Sequence, residues 1–227
     1  MVNPMELTGK RILFVGDSSS LDNAIVEQLK ELGGQVLVCN ELTMETAEKA
    51  VKGISKDAGP FDGVVYGVVH SDFKPLQFVK PQLIDSLMHD NYGLFIEVMR
   101  VLKKSRAIAN GASIVAMSSI SSIRAMKAKM AFCSSKAALD AAVRCLAVEL
   151  GDKGIRINSI QKGGVDADLE KSQIQDVTAI NENATEKKQI LGLTRAVEVA
   201  NLVAFLLSDA ATTITGTSIV IDGGYTL

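Results

Sequence analysis

The sequence predicts an α/β protein, doubly wound in a Rossmann-like way around one parallel sheet. Three observations carry that expectation. Short apolar runs alternate with amphipathic helical patterns along the chain. The apolar runs are continuous rather than alternating with polar residues, as strands covered on both faces require. No repeat, linker or low-complexity stretch interrupts the 227 residues, so a single domain over 1–227 is expected.

The elements follow in order. Arg11-Ile12-Leu13-Phe14-Val15 is a buried strand closed by Gly16. A helical pattern over 23–32 stops at Gly33-Gly34, residues suited to a helix C-cap. Residues 36–39 form the next strand and 44–56 the next helix. A strand over 63–69 precedes a mostly helical stretch, 81–104. Then come a strand (113–117), a long helix (131–150), a strand (156–160), a helix (196–207) and a last strand (218–221) before Asp222-Gly223-Gly224. Residues 41–61 hold a single helix, so six strands are expected. In such sheets ligands bind beyond the carboxyl ends of the strands. The functional loops are therefore 16–22, 66–73, 118–122 and 162–168.

Composition narrows the function classes. Hydrophobic residues make up 47% and charged residues 22%, an ordinary globular balance. A net charge of −2 gives no basic field for a nucleic-acid backbone. No apolar run reaches membrane-span length, and residues 1–10 carry no signal-peptide pattern. Cys39, Cys133 and Cys145 have no metal-ligand spacing and read as reduced thiols, which suits the cytoplasm. With only His70 and His89, a histidine metal site is not expected, and no metal cofactor is.

Phe132 with Lys136-Ala137-Ala138-Leu139, Arg156-Ile157-Asn158-Ser159-Ile160, Ile214-Thr215-Gly216 and Ile221-Asp222-Gly223-Gly224 mark a pattern of the right order and spacing. In these segments the chain resembles the short-chain dehydrogenases/reductases over nearly its whole length. The run SDAATTITGTSIVIDGG is similar to that family's C-terminal end. The resemblance implies NAD(P)-dependent oxidation or reduction of an alcohol or carbonyl, in a dimer or tetramer. It also implies roles residue by residue. Ser119 takes the place of a substrate-orienting serine, with Ser118, Ser121 and Ser122 as alternatives. Asn91 takes that of an asparagine that bends its helix and holds a relay water. Lys136 takes that of the lysine that binds nicotinamide ribose and lowers a tyrosine pKa.

The tyrosine itself is Phe132 here, and a benzene ring cannot pass a proton. The enoyl-reductase branch places its tyrosine seven residues before the lysine, where this chain has Lys129. Tyr66, Tyr92 and Cys133 are other sources of a proton or thiolate, though nothing in the sequence aims them at the site. The family's G-x-x-x-G-x-G loop reads Gly16-Asp17-Ser18-Ser19-Ser20-Leu21-Asp22, so only its first glycine is kept. Ser18 and Ser20 can still bond a phosphate. Asp22 either repels one or, with Asp17, simply caps the helix start.

In the same alignment Asn40 stands where an acidic residue binds ribose, and Glu41 opposes a 2′-phosphate. Tyr66-Gly67-Val68-Val69 replaces the wall usually reading Asn-Asn-Ala-Gly. Gly163 keeps the glycine expected beside nicotinamide, and residues 168–188 resemble a substrate loop. The missing βα unit removes part of the adenine site. NAD(H) is therefore expected to bind weakly and NADP(H) more weakly. Three functions stay open: a non-catalytic scaffold or regulatory member, an NAD(H)-dependent reductase of a small carbonyl with an unusual proton donor, and a non-redox isomerase or dehydratase. Ala138, Ala141, Ala142 and Cys145 recur at helical spacing, so homo-oligomer contacts are expected through the helices around 91–104 and 131–150.

Overall fold

The apolar runs become a sheet covered on both faces. The computed structural model describes residues 3–40, 42–166 and 189–227. Its strands are β1 (Arg11–Gly16), β2 (Gln35–Asn40), β3 (Phe61–Tyr66), β4 (Ile108–Ser119), β5 (Arg156–Lys162) and β6 (Ser218–Ile221). They form one six-stranded sheet in the order β2-β1-β3-β4-β5-β6, with every neighbouring pair parallel. The helices described are α1 (Ser20–Glu31), α2 (Met44–Ala58), α3 (Pro81–Met88), α4 (Leu94–Lys104), α5 (Met130–Leu150) and α6 (Ala196–Leu207).

Alternate strand residues face opposite layers. Leu13, Val15, Val64, Tyr66, Ile114, Ala116 and Ile157 join the core beneath α2, α4 and α5. Ile12, Phe14, Val65, Val115, Met117 and Ile160 join the core beneath α1 and α6. The chain leaves β2 through α2 alone and returns as β3 on the far side of β1. A doubly wound sheet ordered 3-2-1-4-5-6 that lost its third strand would have this arrangement. Six strands and the second-strand place of residues 35–40 agree with the sequence reading.

Three boundaries differ from it. α1 starts at Ser20, earlier than the apolar pattern, because Ser19 caps it: its hydroxyl accepts the Asp22 N–H at 3.1 Å. β3 stops at Tyr66 rather than 69. Beyond it the backbone is held by other groups, Gly67 N–H by the Val15 carbonyl (2.6 Å) and the Val68 carbonyl by Lys136 (3.2 Å). The helical stretch 81–104 is broken into α3 and α4 by a π-turn, His89–Gly93. Such a widened turn re-aims the side chains within it. Here it carries Asn91.

Candidate functional site

β1 connects to β2 on one side while β3 lies on its other side, so the strand order reverses between β1 and β3. The crevice beyond the carboxyl ends of these two strands is where a doubly wound sheet takes its ligand. Gly16 ends β1, and the loop turns at Ser18, whose φ of 61° is left-handed. The N–H groups of Asp17 and Ser19, on either side of Ser18, converge on one point, a concave receptor for an anion. The group at that point is the chain's own Asp22. Its Oδ2 accepts from Asp17 N–H at 3.0 Å and from Ser19 N–H at 3.1 Å.

Asp22 is 4% exposed and sits in the first turn of α1. Burial raises its carboxyl pKa, and the backbone bonds from Asp17 and Ser19 pull it partly back. Two glycines make room for it. A Cβ on Gly16 would come 2.9 Å from Asp22 Oδ2, and one on Gly67 would come 2.8 Å from its Oδ1. Of the two sequence readings of Asp22, the capping one is seen directly, and the same carboxylate fills the point where the two N–H groups converge. Asp17 does not cap. Its carboxylate turns across the crevice to His70, with Oδ2 3.2 Å from Nε2. Ser20, the first residue of α1, is exposed.

Behind the crevice, α5 presents Phe132 and Lys136 one turn apart, both buried. Lys136 is 0% exposed, and its ammonium donates to the carbonyls of Val68 (3.2 Å) and Met117 (3.1 Å). Burial lowers its pKa to about 7, with Lys162 adding to the shift. Lys162, buried at the end of β5, is lowered to about 8 by burial and by Lys129, while Asp22 opposes the shift. Lys129 lies just before α5 with its ammonium 3.9 Å from the Phe73 ring centre and 5.4 Å from that of Phe132. Burial lowers its pKa to about 8 as well; the ring faces favour the cation and oppose that shift.

Asn91 is fully buried and holds residue 70 from both sides. Its Oδ1 accepts from His70 N–H (3.0 Å), and its Nδ2 donates to the His70 carbonyl (2.7 Å) and to Ser135 Oγ (3.1 Å). Ser119 ends β4, where its hydroxyl accepts the Ser121 N–H at 3.1 Å. The three alternative serines are held in other ways. Ser121 bonds Met126, and Ser122 bonds the Ser119 carbonyl and Gln161. Ser118 Oγ is buried with no hydrogen-bond partner.

Tyr66 is not a spare proton donor. Its hydroxyl donates to the Asp90 carbonyl at 2.7 Å, and burial raises its pKa well above the usual phenol value. Tyr92 is half-buried, and Cys133 is a half-buried free thiol. Asn40 is exposed at the end of β2, at the sheet edge. Gly163 meets β6's end: a Cβ there would stand 2.8 Å from the Asp222 backbone. Glu41 and residues 168–188 lie outside the described residues. Sequence reasoning gave no role to His70, Lys129 or Lys162. The one signal was position, since Lys162 ends a strand and His70 lies in the loop that follows one.

Among the described residues no helix is long and apolar enough to cross a membrane, and no cluster of His, Cys, Asp and Glu could hold a metal ion. A family model described as enoyl-(acyl carrier protein) reductase matches residues 2–226. The chain belongs to the short-chain dehydrogenase/reductase family. Members of this family generally bind NAD(P)(H).

Among its relatives in the family, an L-xylulose reductase from Bos taurus is 28% identical, covering 97% of this chain and 98% of the relative. An NADH-type enoyl-acyl-carrier-protein reductase from Bacillus cereus is 26% identical, covering 96% and 86%. Of solved structures, a short-chain dehydrogenase/reductase from Serratia marcescens superposes with a TM-score of 0.86 at 22% identity, covering 99% of this chain and 100% of that one. A gluconate 5-dehydrogenase from Burkholderia cenocepacia, in complex with NADP and tartrate, gives 0.86 at 18%, covering 98% and 97%. At these identities the structural likeness establishes the fold of this short-chain dehydrogenase/reductase.

Proposed function

We propose that this family member has lost hydride-transfer chemistry, binds NAD(H) weakly and NADP(H) more weakly, and serves as a non-catalytic scaffold or regulatory subunit. The observation that carries the reading is the Asp22 carboxylate. It takes the Asp17 and Ser19 N–H groups that would otherwise receive a pyrophosphate oxygen. A dinucleotide would have to displace this carboxylate and accept a buried negative charge beside its own phosphates. The residues present therefore fit that cofactor poorly.

Other features agree. Phe132 supplies no acidic proton one turn from Lys136, and Tyr66 is committed to Asp90. Lys136 already spends two of its three donors on backbone carbonyls, leaving little for ribose hydroxyls. The adenine side is shortened because β2 is the sheet edge. The six-stranded core of the fold is meanwhile kept, as a scaffold requires.

The test is a pair of measurements on the unmodified protein: NADH consumption with a panel of small ketones, and melting temperature with NADH present. No turnover and no shift are expected. A ligand at a hundred times its Kd would stabilise the fold by about 2.7 kcal/mol, which is easily detected.

A second reading, slow carbonyl reduction, is favoured by one observation: Lys129 places an ammonium with a lowered pKa of about 8 over the Phe132 ring. If NADH turnover is found, Lys129→Met should abolish it, and an unaffected rate would remove this reading.

A further inference from the structure

We propose that protonated His70 is a bolt across the nucleotide crevice, so that access to the site is controlled by pH. The inference rests on the weak-binding reading above and adds its regulation.

His70 follows β3, whereas Asp17 follows β1, so their contact spans the crevice at the point where strand order reverses. The imidazole has carboxylates on both edges. Nε2 is 3.2 Å from Asp17 Oδ2, and Nδ1 is 3.2 Å from Asp90 Oδ2. A neutral imidazole has one N–H and one lone pair, so it can satisfy only one of these carboxylates and turns a lone pair on the other. The imidazolium satisfies both. The geometry thus selects the charged ring and ties the β1–α1 loop to the π-turn through it.

The bolt is also braced. Asn91 clamps the His70 backbone on both its N–H and its carbonyl. The same Asp17 gives its own N–H to Asp22. Opening the crevice at Asp17 therefore disturbs the carboxylate that fills the anion position.

The charges facing His70 come from four elements. Asp17 is in the β1–α1 loop, with Asp22 behind it on α1. Asp90 and His89 are in the π-turn, where His89 Nδ1 also lies 3.0 Å from Asp90. Tyr66 on β3 is neutral, and Lys136 on α5 feels Asp17. The hydrogen bond that the ring donates to Asp17 is the main cause that raises the His70 pKa, and partial burial opposes it. The folded pKa thus lies above the unfolded one. With both carboxylates ionised, the bridge contributes its full stability below the unfolded histidine pKa and loses it as pH rises through the folded value.

The experiment uses the full chain, wild type against His70→Gln and Asp17→Asn. NADH affinity is measured by fluorescence titration at about pH 6 and about pH 8.5, and the His70 ring is followed by NMR. Comparing proteins at one pH cancels the titration of Lys129, Lys136 and Lys162. Three results are expected. His70 titrates above ordinary histidine, and its pKa falls in Asp17→Asn. His70→Gln binds NADH severalfold more tightly than wild type at the lower pH. The two proteins converge at the higher pH. Equal weak binding, or none, in all three proteins at both pH values would overturn the bolt and leave the weak-binding reading standing. Tight binding by wild type and variants alike at both pH values would overturn both. A His70 ring that titrates normally would overturn the bolt alone.

Discussion

Replacing Asp22 by glycine tests the structural logic of the nucleotide loop. The side chain is 4% exposed, so solvent screens its bonds little. Its removal deletes two bonds from backbone N–H to a carboxylate, one of them its half of the capping box, about 1.5–3 kcal/mol each. Relief of the burial that raises the carboxyl pKa offsets much of that sum. A net loss of about 2–3 kcal/mol follows, and in a chain of this size it lowers the melting temperature by roughly 4–12 °C. Nucleotide binding should move the other way. The Asp17 and Ser19 N–H groups become free to meet a pyrophosphate oxygen, and a buried like charge is gone. NADH affinity should rise by at least about tenfold, 1.4 kcal/mol. The assay is isothermal titration calorimetry with NADH beside melting curves without it. A variant that melts lower but binds NADH no better would refute the claim that Asp22 occupies the phosphate position. A variant of unchanged stability would refute the capping argument.

Other expected outcomes follow from the same geometry. Phe132→Tyr alone should leave NADH-dependent ketone reduction undetectable and improve NADH affinity less than Asp22→Gly does; strong turnover in it would place the whole defect at one oxygen. Lys136 has a folded pKa of about 7, well below that of an unfolded lysine, so the unfolded chain binds the extra proton above neutrality and this residue adds stability as pH rises from about 7 to 9. The stability difference between wild type and Lys136→Met should grow over that interval by urea denaturation, and a flat difference would contradict the buried ammonium. Ala138, Ala141 and Ala142 are only partly covered on α5, Cys145 is exposed, and a groove of about 370 Å³ lies between α4 and α5, lined by Ile96, Met99 and Leu146. Light scattering should report a dimer or tetramer that Ala142→Arg dissociates; a wild-type monomer at micromolar concentration would end that expectation.

The fold was legible because burial on both faces of a parallel strand leaves few residue types to choose from. Residues 12–15, 64–66 and 114–117 are apolar wherever both sheet faces are covered. The lost βα unit was legible as chain length, since residues 41–61 cannot hold a helix, a strand and another helix. That Phe132 and Lys136 share one helix face was legible because helical spacings are local, whereas Asn91 was named from the resemblance alone. His70 was missed because its partners Asp17 and Asp90 are distant in sequence, and only the reversal of strand order brings them to one crevice. Lys129 and Lys162 were given no role because nothing local to either signals that the fold buries Lys162 and half-buries Lys129. Asp22 was read two ways, as a charge that repels a phosphate or as a helix cap. Its bonds to the loop's own N–H groups needed the left-handed turn at Ser18, which a serine does not announce.

The central claim is that the chain fills its own nucleotide loop, and a crystal structure grown with millimolar NADH tests it most directly. The account predicts Asp22 still bonded to the Asp17 and Ser19 N–H groups, His70 between Asp17 and Asp90, and no ordered dinucleotide from Gly16 to Asp22. A dinucleotide lying across that loop, with its pyrophosphate on the Asp17 and Ser19 amides and Asp22 turned away, would contradict it.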